Sequence, residues 1–553
     1  MLLALLRWMI ALGWLGLMAL LLALPAVGFC LGVTRPPAMP VGWKPPVAHA
    51  DGLATVAGLG RRQDVGRVLW VDLRGTPVEL GESMGLLLYD RIGGMETDLV
   101  TTLQDRVPLF AGRHLLLGLV GLNNRTLADH FTANELLEIR AATAAPDPAL
   151  DPWRCLGPGY QRAVHYHALH DVSQYLIDNP LVRPIQVGCS AFAVGGAHTT
   201  DGHLVVGRLF DFEGGPRFDL DKVVFTMHPA GGLRFVHVAW AGMTGAVTGL
   251  NEAGLWVSIN AAATADQGFV GRPIVMVVRE VLQTCRSIDE AVAVLRRSQV
   301  FVSDGVLLAS ASERRAVVAE LGPTGLGVRA WQDDRIISTN HFLDPAWAGD
   351  KRNASRMVHG TTAVRAARLT ELLDQQPVDP ARAVAILRDR RGPGGLELGF
   401  NNRSTINAWI GAHLAVADLD RGILWVSEPR HGLGAMRAFT IDGPLPAADL
   451  PEDPELGRCL DALPRWLEVR ATLLGNVRDP AKRAALVAKL LRLNGDHFES
   501  HWIAGLNATD PAERRAHLEE ALRLRPAYPQ DAEAIRKALG GAAIEPGDPP
   551  AAP

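Results

Sequence analysis

The chain has 553 residues, room for about three or four domains or for one large layered domain. Its 55 basic residues almost balance 59 acidic ones, and a formal net charge of −4 excludes the basic surface of a nucleic-acid binder. The 5 cysteines follow neither a disulfide framework nor a zinc spacing, and no phosphate loop or dinucleotide fingerprint occurs, so neither metal nor cofactor is expected.

Residues 1–33 are apolar apart from Arg7, and the run 8–31 reaches the roughly 20 residues that a bilayer requires. A secretory apolar core is shorter, about 7–15 residues, so the length favours a signal anchor over a cleaved signal peptide. The body is then expected outside the cytoplasm, in the periplasm or at the cell surface, and secreted if the leader is removed. A proline-rich spacer follows at 36–46. Two short strands are predicted over 68–72 and 76–80, the second at a sheet edge because of Pro77. Helical patterns cover 98–109, 127–142 and 164–178, so 34–188 reads as a mostly helical N-terminal fragment. Cys155 lies in it, and its pairing is left open.

The chemistry gathers in the next stretch. Gly188-Cys189-Ser190-Ala191-Phe192-Ala193-Val194 is a short apolar strand, Asp201-Gly202 suits a tight hairpin turn, and the return strand carries Arg208 and Asp211. A lone cysteine on an apolar strand is ordinarily a small core hydrophobe. Here the hairpin returns a cation and a carboxylate to the cysteine's end, and that favours catalysis.

These residues resemble the N-terminal-nucleophile hydrolases, and within them the penicillin acyl-coenzyme A acyltransferase branch, the C45-type family of autoproteolytic acyltransferases and hydrolases. Bile-salt hydrolases and penicillin V acylases are more distant relatives. The resemblance implies a precursor that cuts itself between Gly188 and Cys189, with the freed α-amine as base for the thiol. An α-amine titrates near 7.7–8.0 and a thiol near 8.5, so proton exchange between them is almost balanced. Val78-Glu79-Leu80-Gly81-Glu82-Ser83-Met84-Gly85 resembles the family's helix-leading N-terminal motif. Leu209 departs from the pattern, because many relatives carry asparagine there.

Downstream, hairpins are predicted at 222–227 with 233–240 and at 245–250 with 255–260. Helices follow at 273–284 and 288–297, the latter opened by Ser287 and Glu290 in capping-box spacing. Strands return at 305–309, 316–320, 325–331, 335–339, 414–418 and 423–428. The fold class is α+β, a sheet packed on helices, and the resemblance implies a four-layered αββα sandwich over 189–445. It also implies oxyanion donors at Asn260 and at Asn340, in Ser338-Thr339-Asn340-His341-Phe342, and an ordering role for Arg356. An amide N–H aimed at the oxyanion lowers the barrier by about 3–4 kcal/mol. Histidines 198, 203 and 237 read as structural rather than as metal ligands. Residues 453–540 form a helical appendage with one tetratricopeptide-like hairpin, in which Asp510 caps and Pro511 opens a helix. Residues 541–553, rich in glycine, alanine and proline, are expected to be a disordered tail.

The expected activity is hydrolysis or transfer at the amide bond of a small N-acyl or acyl-thioester substrate, through an acyl-thioester on Cys189. The two fragments are expected to stay associated without a covalent link. One competing expectation is an unprocessed cysteine–histidine hydrolase using His341 or His198. Another is an inert, membrane-anchored scaffold whose C-terminal helices bind a protein partner.

Overall fold

A computed structural model describes residues 35–39, 47–50, 53–144, 151–176, 187–475 and 477–540, with single positions at 13, 14, 16 and 23. Apart from those four positions, the expected anchor at 1–33 lies outside the described residues, as do most of the spacer and the tail 541–553. Among the described residues no helix is long and apolar enough to cross a membrane.

Two sheets face one another. The 11-stranded sheet runs, in spatial order, through β1 (Val47–Ala50), β2 (Leu53–Val56), β3 (Gly60–Val65), β4 (Val68–Gly75), β7 (Lys222–Pro229), β8 (Phe235–Trp240), β9 (Thr248–Asn251), β10 (Leu255–Ala261), β11 (Asp304–Ser310), β12 (Arg315–Gly322) and β13 (Gly325–Ala330). The 7-stranded sheet runs through β14 (Arg335–Ser338), β5 (Val187–Val194), β6 (Val205–Phe212), β15 (Gly411–Asp418), β16 (Ile423–Ser427), β17 (Met436–Thr440) and β18 (Gly443–Pro444). Between them lies a dry core in which Ala191, Ala193, Ala415 and Ala417 of the smaller sheet meet Trp70, Val224, Val236 and Trp256 of the larger. Small side chains on one face leave room for indoles from the other, at the usual sheet-to-sheet spacing of about 10 Å.

Helices cover both outer faces, which completes the αββα order expected from the sequence. Against the larger sheet pack α1 (Pro77–Leu87), α2 (Tyr89–Arg106), α4 (Ala133–Ala144), α5 (Gly159–His167) and α6 (Leu169–Leu176), with the short α7 (Arg217–Leu220), α8 (Ile274–Thr284) and α9 (Ile288–Arg297), while α3 (Phe110–Asn123) leaves Phe110, Leu117 and Leu119 exposed. Behind the smaller sheet lie α11 (Thr362–Leu373) and α12 (Pro380–Leu387), preceded by α10 (Lys351–His359). Ser287 accepts from the Glu290 amide at the start of α9, as its spacing predicts.

The N-terminal fragment departs from its reading as helical scaffold, because four strands of the larger sheet belong to it. The fourth, β4, pairs in parallel with β7, matching Leu69 to Val223 through Gly75 to Pro229. The strand predicted at 76–80 is instead the start of α1. Thr76 caps it, accepting from the Glu79 amide while the Glu79 carboxylate takes the Thr76 N–H. Proline at the first helical position belongs to the same signature, and it outweighs an apolar alternation only five residues long. The apolar helix α3 was not foreseen; its leucines run together without a clear period.

The C-terminal helices, α13 (Leu456–Leu474), α14 (Pro480–Asn494), α15 (Phe498–Asn507), α16 (Pro511–Arg523) and α17 (Pro529–Leu539), dock on the two-sheet body. Trp466, Leu490 and Ile503 bury against Phe400, Trp409 and Leu433. The Asn494 amide brackets Phe400, accepting from its N–H at 3.2 Å and donating to its carbonyl at 2.8 Å. Asp510 caps α16 through the Glu513 amide, as predicted.

Candidate active site

Cys189 sits at the start of β5, and antiparallel pairing with β6 places Gly188 opposite Asp211, Cys189 opposite Phe210 and Ala191 opposite Arg208. Arg208 and Asp211 thus return to the cysteine's end of the hairpin. Their odd spacing sends them to opposite faces, because strand side chains alternate. Arg208 enters the space between the sheets and Asp211 the helical side.

Arg208 is fully buried. Its guanidinium donates to the Thr248 hydroxyl and the Ile259 carbonyl, and it lies 4.4 Å over the Phe210 ring. It also donates to His413 Nε2 at 3.3 Å, so the neutral imidazole carries its proton on Nδ1. Burial pushes the His413 pKa well down, assisted by Arg208 and Lys222. Burial also lowers the Arg208 pKa to about 10, against the thiol of Cys189, which lies within its hydrogen-bonding reach.

Asp211 is buried on the other face, and its Oδ1 has no hydrogen-bond partner among the described residues. Burial raises its pKa to about 7, opposed by Arg365 and Arg403. A Cβ on Gly188 would stand 3.1 Å from Asp211 Oδ2. Glycine therefore permits a close approach of this carboxyl to the peptide bond between Gly188 and Cys189. Burial raises the Cys189 thiol pKa, and Arg208, Arg365 and the Asp211 backbone N–H pull it back.

Asn340 follows β14. Its Oδ1 accepts the Cys189 N–H at 2.8 Å and a second bond from Arg365, while its Nδ2 donates to the Ala261 carbonyl at 2.7 Å. The amide therefore grips the backbone nitrogen of Cys189. Asn260, on β10, gives its Nδ2 to the Ser338 carbonyl and hydroxyl, both at 3.1 Å, and its Oδ1 lies 3.5 Å from Arg208 Nε. That placement ties β10 to β14 and steadies Arg208 rather than facing the thiol.

Arg356 lies on α10. Arg365, on α11, donates to the Cys189 carbonyl, to Ser190 Oγ at 3.0 Å and to Asn340 Oδ1. Sequence reading missed Arg365 because a helix one layer away delivers it, outside any motif. His413 was missed for the same kind of reason. Leu209 packs among Phe192, Leu369 and Leu387 on the helical face and takes no part in the polar site.

The alternative bases are placed elsewhere. His341 Nδ1 lies 2.8 Å from Thr362 Oγ1 and 3.1 Å from Thr339 Oγ1, and burial lowers its pKa to about 4. His198 is at the turn end of the hairpin, in the short helical turn Gly196–His198. Also at that end, ligand-type atoms of Asp201, His203 and Asp418 lie within 4.8 Å of one another. Arg421 already pairs with both carboxylates, at 3.0 and 3.2 Å.

Residues 198–405 match the model of the family described as acyl-coenzyme A:6-aminopenicillanic acid acyl-transferase. None of the curated proteins compared with the chain matches it. Among solved structures, an N-acylethanolamine-hydrolysing acid amidase ortholog from Caenorhabditis elegans is similar at 17% identity, over 42% of this chain and 93% of that one, with a TM-score of 0.31. Penicillin V acylase from Agrobacterium tumefaciens is similar at 17% identity, over 45% and 91%, with a TM-score of 0.31. A variant of the conjugated bile acid hydrolase of Clostridium perfringens is similar at 13% identity, over 46% and 92%, with a TM-score of 0.31.

Proposed function

We propose, from the premise that segment 198–405 belongs to the acyl-coenzyme A:6-aminopenicillanic acid acyl-transferase family, that this acyltransferase or amidase of the N-terminal-nucleophile type is a self-processing cysteine enzyme. Its nucleophile is Cys189. The observation that supports this most is the grip of Asn340 and Arg365 on the cysteine's own backbone, with its thiol beside Arg208. A packing cysteine has no need of such partners. The family match begins past Cys189, so the nucleophile's assignment rests on this geometry.

In processing, Sγ adds to the Gly188 carbonyl; the C–S bond forms, the C–N bond breaks, and the thiol proton ends on the released Cys189 nitrogen. Water then opens the thioester and leaves a Gly188 carboxylate. In turnover the α-amine takes the thiol proton, Sγ attacks the acyl carbonyl, and the leaving amine receives that proton. Water or an acceptor amine resolves the acyl-thioester. Arg208 and Arg365 balance negative charge on sulfur, and the carboxyl of Asp211 can exchange a proton near neutral pH. An amide nitrogen has two hydrogens, and Asn340 spends one on Ala261. The other serves the oxyanion.

Wild-type chain should run as two bands on a denaturing gel and as one species on a native column. The larger band should begin Cys-Ser-Ala-Phe. Cys189→Ala should give one inactive band. An active wild-type preparation that stays uncut would overturn this reading. Cohesion of the fragments has a structural basis: the cut leaves β4 in one fragment and β7 in the other, still sharing a ladder. The apolar leader would hold the pair on a membrane with the body outside the cytoplasm. Detergent-dependent extraction of the full-length chain checks this; recovery of a mature chain lacking the leader would show cleavage instead.

A further inference from the structure

The tetratricopeptide-like hairpin of α15 and α16 carries a pair of histidines that the Cys189 site does not use. His501 on α15 and His517 on α16 stand 16 positions apart in the chain, yet their Nδ1 atoms are 3.0 Å from one another. The ring centroids lie 5.1 Å apart and the planes cross at 52°. Packing fixes this approach. Trp502 and Leu518, the next residue along each helix, bury together in one apolar cluster. A Cβ on Gly505, one turn beyond His501, would come within 2.9 Å of the Leu518 side chain, so glycine there lets α16 lie close. Both histidines are half-buried. Burial and the neighbouring His517 lower the His501 pKa, against Glu520, which favours the neutral imidazole.

We infer that His501 and His517 form a chelating site for a divalent transition cation, copper(II) above all, which clips α15 to α16. Two metal–nitrogen bonds of about 2.0–2.1 Å that end 3.0 Å apart enclose an angle of roughly 95°. Neighbouring ligands of a square-planar or octahedral cation stand about 90° apart, whereas tetrahedral zinc would want these nitrogens about 3.3–3.4 Å from one another. Imidazole suits copper, and copper(II) binds tightest in its series. Without metal, one N–H···N hydrogen bond spans the same distance, with one Nδ1 donating and the other accepting. On binding, the donor ring moves its proton to Nε2 and both Nδ1 lone pairs go to the cation, so two neutral rings lose no proton overall. Among the described residues no third ligand group completes a cluster here. The Glu520 carboxylate is held by Arg523 at 2.7 Å. Water therefore fills the remaining positions, and the site is exchangeable rather than closed and structural. It does not depend on the assignment of Cys189.

The test uses the full-length Cys189→Ala chain, because a free thiol would itself take copper, with no histidine tag and cleared of metal by a chelator. Copper(II), nickel(II) and zinc(II) are titrated separately by calorimetry. The copper(II) complex is examined by electron paramagnetic resonance, and heat unfolding is followed with and without copper. Copper should bind tightest, show hyperfine coupling to two nitrogens, and raise the unfolding midpoint. His501→Ala and His517→Ala should each weaken copper binding by at least about tenfold and lose one coupled nitrogen. His203→Ala, at the turn end of the β5–β6 hairpin, should change it by less than threefold. Where an alanine variant misfolds by circular dichroism, His501→Gln or His517→Gln decides in its place. Copper affinity within threefold of the parent in folded variants of both histidines would overturn the inference and leave the pair as a hydrogen bond alone. Copper binding lost in His203→Ala instead would move the cation to the Asp201 and Asp418 cluster and overturn it as well.

Discussion

The two ends of the hairpin formed by β5 and β6 hold charge in opposite ways. At the turn end, His203 pairs with Asp418 at 3.0 Å, Arg421 with Asp201 at 3.0 Å, and Arg314 with Asp420 at 3.1 Å. The cations here are 27–57% exposed, Asp418 is buried, and each cation has a carboxylate. At the Cys189 end, Arg208 and Arg365 are buried and bonded to neutral oxygens and nitrogens, while the Asp211 carboxyl keeps an orphan oxygen. Water screens the first cluster, and little energy depends on it. The second lies out of water, where an uncompensated charge is costly unless something else needs it. On the proposed reading, charges that are present but not paired off belong at the end of the hairpin where a reaction would create and consume charge.

The largest expected effects come from disturbing that unpaired end. Asn340→Ala should fold and slow both the cut and substrate acylation by roughly two to three orders of magnitude, as for loss of one oxyanion donor. Quenched-gel time courses and acyl-enzyme mass spectrometry measure the two rates. Arg365→Ala should slow the cut by about a hundredfold, whereas Arg356→Ala should leave it within about threefold. Equal losses in the two arginine variants would return the ordering role to Arg356.

A smaller effect sharpens the contrast in charge. Burial raises the Asp211 pKa to about 7, above its unfolded value of 3.8. Below the unfolded value both states hold the proton and burial carries no ionisation cost. As pH climbs, the unfolded chain releases the proton first, and stability falls until pH passes the folded value. On the uncut Cys189→Ala background, Asp211→Asn should therefore stabilise the chain above pH 7, by at most roughly 4 kcal/mol, and hardly at all near pH 4. Urea unfolding at the two pH values checks this. A gain that is the same at both would show that Asp211 is not held near neutral pH by burial.

What was legible in the sequence follows from how far each signal reaches. The hairpin from Gly188 to Phe212 declares itself through a turn dipeptide and a short apolar alternation, and its register brings Arg208 and Asp211 back by simple counting. Asn340 was legible through its motif. Arg365 and His413 come from a helix and a strand far along the chain, so only the packed layers reveal them. The same limit hid the place of β4: its parallel partner is about 150 residues away, and no local pattern encodes such a pairing. Thr76 to Glu79, by contrast, carried a capping box in full view, and the strand expected at 76–80 passed it over.

The smallest effect belongs to the turn end, and it is where the comparison can fail most simply. Arg421 contacts Asp201 and Asp418, and its side chain is 50% exposed. The exposed pair with Asp201 contributes about 0–1 kcal/mol, and the buried Asp418 keeps His203 as a second partner. Arg421→Ala on the Cys189→Ala background should lower the unfolding free energy read from urea titration by about 1 kcal/mol at most. The hydrogen bond that His203 donates to Asp418 raises the His203 pKa, with Asp201 and Asp420 adding to it. The stability that His203 contributes is thus full below its unfolded value and is lost as pH rises through the folded one. Removing the competing cation should strengthen the imidazolium's hold on Asp418, so the loss at Arg421 should shrink at acidic pH. In the chain with Cys189 intact, the same substitution should leave the rate of cutting within twofold, because nothing at this end touches the scissile bond. A tenfold slower cut in a folded Arg421→Ala chain would mean that the two ends are coupled through the strands, and that charge at the turn, not only the unpaired charge beside Cys189, sets the reactivity of the thiol.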